Sequence, residues 1–265
     1  MLFGISAHGA ELATLVLVTA ASGLVAAELW SIRFEFRAGR GLDPGLLSRD
    51  GRHAWRARRS SVIPELALAQ TVLLAGSLAA WELPGIVRAV AAAGSLVTAA
   101  LLYTTLRYGR DGSDDMLLIV VFMLSVALVV RQDWAVQAAL VGIAGLAMIA
   151  YAASGAGKLA GSSWRDGTAM AVVLRSETYG SPLAGRLASE HRTLTRLAGY
   201  AVIAVELLVP VAVVLGGWPL VGALALAAGF HVGVGAVMGL NRFTPAFIAT
   251  YPALIWLADE LAVGG

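Results

Sequence analysis

Eight stretches of the chain run for fifteen or more positions almost without charge, and this pattern decides most of what it can fold into. They are Leu12–Ala27, Leu66–Trp81, Ala89–Leu106, Met116–Val130, Trp134–Gly157, Leu197–Gly217, Leu220–Asn241 and Phe243–Ala258. Only Glu206 interrupts the sixth and only His231 the seventh. The runs lack period-two alternation and are rich in Ala, Leu and Val, so they predict helices rather than strands. A bilayer core takes about 20 apolar residues per helix, and eight such helices use about 160 residues. Of the 265 residues 58% are hydrophobic and 14% charged. Soluble chains carry about 25% charged residues, so this one has too little charge to wet a surface. A soluble enzyme, a nucleic-acid binder and a disordered tail are excluded. The expected fold is all-α, a polytopic integral membrane bundle of about eight transmembrane helices, forming one membrane domain over 1–265. The fourth run is the shortest, about 22 Å at 1.5 Å per residue; it either recruits Ser113 or Gln132 or sits where the bilayer thins.

Charge placement orients the bundle. Counting Lys and Arg in the connections puts seventeen of the nineteen basic residues on one side, with Arg88 and Arg131 opposite. The side rich in basic residues is cytoplasmic, so both termini are expected outside and the large loops inside the cell membrane. Trp81, Trp134 and Trp218 fall at outer ends of spans and Trp30 near an inner end, as interfacial anchors do. The 33–61 segment reads as a basic cytoplasmic loop, either a plain topology determinant or a surface touching anionic lipid. The 160–198 segment is a cytoplasmic loop in which an interfacial helix and a turn fit. Two GxxxG pairs in the seventh run (Gly229, Gly233, Gly235 and Gly239) point to close helix packing within one subunit.

The chain has no cysteine and four histidines at no metal-ligand spacing, so no metal is expected. The informative polar residues lie in or beside the spans, where each needs a partner or a purpose. Lys158 is the single lysine beside eighteen arginines. Arginine stays protonated in proteins, whereas a lysine in apolar surroundings can lose its proton. Tyr151, Gly155 and Lys158 share one helical face at i, i+4 and i+7. Snorkelling to the headgroups is the other explanation of this lysine. Glu206 precedes Pro210 by four positions, so its carbonyl loses a helix bond. It fits a proton or ligand site, or equally a protonated acid bonded to a neighbouring helix. His231 is a candidate ligand group or a bridge between helices. Asp114 and Asp115 at the mouth of the fourth run could hold a cation, or simply favour a helix N-terminus.

In order along the chain stand Gly112-x2-Asp115, Tyr151-x3-Gly155-x2-Lys158-Leu159, Trp164-x2-Gly167, Glu206-x3-Pro210, Phe230-His231 and Asn241-Arg242-Phe243. This order resembles the horizontally transferred transmembrane (HTTM) domain family, the membrane part of the vitamin K-dependent gamma-carboxylases. The likeness is clearest from about 85 to 258. It implies that Lys158 acts as the base that deprotonates a reduced quinone, menaquinol or vitamin K hydroquinone. Glu206 and His231 would join it in the chemistry, and Tyr151, Gly155, Trp164, Asp114 and Asp115 would bind substrate. In such enzymes the hydroquinone then reacts with oxygen, and the strong base so formed takes a proton from a glutamate side chain that adds carbon dioxide. The alternative expectation is a non-enzymatic accessory membrane protein for a secreted peptide or a membrane redox partner. Small-solute transport, resting on Glu206 and His231 alone, ranks last.

Overall fold

The computed structural model describes residues 3–31, 33, 62–83, 85–105, 112–176 and 180–264. Arg33 apart, the basic segment expected over 33–61 lies outside them, as do Asp111 and Tyr179. Every regular element among the described residues is a helix. Seven helical stretches are long and apolar enough to cross a membrane, and Ile63–Ala79 is a shorter apolar helix of 17 residues. The protein is a polytopic all-α membrane bundle.

The described residues divide into two compact units, 7–140 in one and 1–6 with 141–265 in the other. In the first, α1 (Ala7–Ser31), α2 (Ile63–Ala79), α3 (Gly85–Thr105) and α4 (Gly112–Val130) pack consecutively, and α4 also touches α1. Short connections such as the one after Ala79 force neighbouring helices to run antiparallel. Leu15, Val18, Leu74, Val120 and Leu124 are fully buried in this core. Val72, Ile86 and Val90 turn outward, the arrangement lipid permits and water does not. Thr14, Thr19 and Thr71 return their hydroxyls to the carbonyl four residues earlier, so these small polar groups need no partner across the core. The fourth helix begins at Gly112, earlier than the uncharged run, and takes in Ser113, Asp114 and Asp115. Its 19 residues span about 28 Å, and it stops where Arg131 turns to a φ of 58°.

The helix α5 (Asp133–Ala160) starts in the first unit and continues through the second. There follow three short helices, α6 (Ser162–Arg165), α7 (Thr168–Arg175) and α8 (Pro182–Glu190), where one interfacial helix was expected. Gly167 separates the first two at a φ of 85°. A Cβ there would stand 2.9 Å from the Arg196 backbone, so glycine serves both the turn and the packing. Ser181 caps α8, accepting from the Ala184 N–H at 3.2 Å. The helices α9 (Arg192–Leu215) and α10 (Gly217–Met238) pair, and α9 runs on through Pro210.

The last uncharged run is two helices rather than one, α11 (Phe243–Ile248) and α12 (Tyr251–Gly264). Pro252 has no N–H to offer the carbonyl of Ile248, and at the same break the Thr250 hydroxyl donates to the Phe247 carbonyl at 2.7 Å. In α10, Gly229 and Gly233 have no atom within 4 Å of where a Cβ would stand, while Gly235 packs against Asn241. Of the four glycines, then, Gly235 makes the close contact, and Gly233 borders a cavity instead.

Candidate functional site

A cavity of about 730 Å³ lies in the second unit, bordered by α5, α6, α7, α8, α9, α10 and α11. Its volume is that of sites for drug-sized ligands. Leu174, Leu187, Val202, Val234 and Met238 are among the side chains that make it overwhelmingly apolar. Against this background the polar groups are few: Tyr151, Ser154, Lys158, Thr195, Glu206 and His231. Five of the eight residues expected in the site (Tyr151, Lys158, Trp164, Glu206 and His231) border this one cavity.

Three of the polar groups come from one face of α5. Lys158 donates to both carboxylate oxygens of Glu206, at 2.8 and 2.9 Å, and to the Ser154 hydroxyl at 2.5 Å. Ser154 in turn donates to Glu206 at 3.1 Å. The Lys158 amine also sits 5.2 Å from the centre of the Trp164 ring, a cation–π distance. Side-chain exposure is 18% for Lys158 and 7% for Glu206. The amine therefore turns inward to a carboxylate rather than outward to headgroups. Gly155 does not border the cavity but makes the pair possible. A Cβ on it would stand 2.9 Å from the Leu207 side chain and 3.1 Å from the Glu206 Cβ. Only a glycine lets α9 approach α5 this closely.

His231 occupies a different setting. Its ring stacks on Phe247 at 4.3 Å and 22°, with Phe230 tilted beside it at 5.0 Å. The Tyr151 hydroxyl lies 2.9 Å from its Nε2. The Tyr251 hydroxyl on α12 is buried and has no hydrogen-bond partner. The His231 Nδ1 is buried and has none.

Asp114 and Asp115 are not among the residues bordering this cavity; Asp114 lines a pocket of about 60 Å³ with Ser22, Gln70 and Tyr103 in the first unit. Among the described residues no group of three or more His, Cys, Asp or Glu could hold a metal ion. Outside the spans, Asp166 accepts from the Thr168 N–H at 2.8 Å, and the bonds from Thr168 hold its carboxyl below the usual range. Sequence reasoning missed Ser154, which stands one helical turn before Lys158 and was signalled by that spacing alone. It also missed Phe247, which carries no sequence signal of its own. Comparison of the chain with protein-family models, with curated proteins and with solved structures returns no match.

Proposed function

We propose that the cavity takes a quinol from the bilayer and that Lys158 and Glu206 together accept a proton from one of its hydroxyls. The carrying observation is a lysine–glutamate pair at 2.8 Å bordering a mostly apolar, aromatic-ringed cavity. The pair is neutral overall, as ammonium with carboxylate. When a ring hydroxyl gives up its proton, the pair becomes an ammonium beside a carboxylic acid and the ring an anion. Charge within the site still sums to zero, which a low-dielectric setting demands. Lys158 thus serves the deprotonation through its partner, and its positive charge holds the quinolate. The order of motifs supports placing the chain near the HTTM family, whose membrane domain handles reduced vitamin K. The distribution of basic residues supports a cytoplasmic position for the Lys158 end of α5.

The test uses protein in lipid nanodiscs with menaquinol under anaerobic conditions, following quinolate absorbance. Wild type raises it, whereas Glu206→Gln does not, because an amide cannot take the proton, and Lys158→Met does not, because no positive charge is left to hold the quinolate. Full activity in Glu206→Gln would sink the base role of the pair.

A further inference from the structure

The residues that border the cavity change from exposed to buried as each helix turns. On α9 they pass, around an arc of about 120°, from Leu194 through Ala198, Val202 and Thr195 to Glu206. Leu194 is 55% exposed, Ala198 and Val202 are half-buried, and Thr195 and Glu206 are buried. On α10 the order, over about 160°, is Gly233, Val237, Phe230, Val234, Met238 and His231. Gly233 and Val237 are exposed, the next three half-buried and His231 buried. Glu206 and His231 thus stand on the closed flank of each helix, and the open flanks carry only Leu, Gly and Val. Beyond those flanks the surface stays apolar, with Leu197 and Leu226 exposed. Such a surface suits hydrocarbon rather than water.

We infer that the cavity is a cleft open sideways to the bilayer past Leu194, Gly233 and Val237, and that it takes a ring carrying a long hydrocarbon tail. The ring sits at the Lys158–Glu206 pair and the tail leaves through the opening. The inference rests on the quinol reading and deepens it, because it makes Gly233 the residue that admits a tail.

Gly233 is what keeps the opening free. It borders the cavity, and no atom lies within 4 Å of where its Cβ would stand. A larger side chain there has no neighbour to clash with and takes up space at the edge of the cleft. Val237 lies one turn along, a rise of about 6 Å, and forms the same lip. A tail gains little by moving from lipid into an apolar cavity, since lipid is as apolar as leucine. An opening therefore matters as a path: the ring seats at the polar pair while its tail stays in the bilayer.

The experiment measures binding of menaquinone and of tail-less 2-methyl-1,4-naphthoquinone to the full protein in nanodiscs. Affinities are expressed as mole fractions in the lipid, so that partition cancels. Wild type is expected to bind both. Gly233→Phe should weaken menaquinone about tenfold or more, the cost of forcing a tail past a filled gap. The tail-less quinone should stay within about twofold, and the melting temperature reports that the variant is folded. Val237→Phe closes the same lip and should give the same pattern. Gly229→Phe, one turn away in equally open space but off the cavity, should change neither affinity. Equal loss of both probes in the folded lip variants, or loss of neither, overturns the inference and leaves the quinol reading intact. A wild type that binds neither probe overturns the quinol reading, and this inference with it.

Discussion

Gly155 on α5 faces Glu206 on α9 so closely that a Cβ on the glycine would stand 3.1 Å from that of the glutamate. This approach sets the length of the Lys158–Glu206 bridge. The Leu207 side chain, at 2.9 Å from the same point, would have to shift for any larger residue. Gly155→Ala is expected to destabilise the protein by about 1–3 kcal/mol, and Gly155→Leu to prevent assembly of the site. Thermal unfolding in nanodiscs, read beside quinone binding, checks both.

Removing one member of the pair strands the other. Glu206→Leu alone is expected to cost about 1–3 kcal/mol, below the range for fully buried pairs because the lysine is partly exposed. The double variant Lys158→Met with Glu206→Leu should regain most of that stability and deprotonate no quinol. A double variant as unstable as the worse single one would show that the pair is not a coupled unit.

Ser154 touches both charged partners, which makes it a positioning residue. Ser154→Ala should leave quinone affinity within a few-fold of wild type and slow deprotonation about tenfold, as expected for one lost charge-assisted hydrogen bond. An unchanged rate and pH profile would remove it from the site.

Gly167 holds a φ of 85° against the Arg196 backbone. Substituting alanine should cost at least about 1 kcal/mol from conformation alone and should loosen the Trp164 ring from Lys158. The measurements are the melting temperature and the tryptophan emission maximum, compared with Trp164→Phe as a control.

The absence of cysteine makes topology directly testable. A cysteine at Asp166 is expected to react with a membrane-impermeant maleimide only from the cytoplasmic side, and one at Glu82 only from the other. Labelling of both from one side would overturn the orientation drawn from basic residues.

The spans were legible in the sequence because a bilayer enforces a simple rule: long uncharged runs become helices. Their ends were less so. Asp114 and Asp115 stand in the first turn of a helix that starts at Gly112, the N-terminal placement their charge favours, although the uncharged run itself starts only at Met116. The break at Ala249–Thr250 followed from Pro252, a signal present in the chain but outweighed by the apolar count. Within the site, Lys158 stood out by its uniqueness and Tyr151 by helical spacing. Its pairing with Glu206 spans 48 positions, and no local pattern announces a contact at that range. The same holds for Phe247 against His231, which depends on how α11 leaves its turn.

That separation has a consequence for biosynthesis. A lone carboxylate entering hydrocarbon is costly, but the ribosome delivers Lys158 before Glu206. The ammonium, at the end of its helix, can wait at the headgroups until the later segment emerges, so the acid reaches the lipid with its counter-ion already in place.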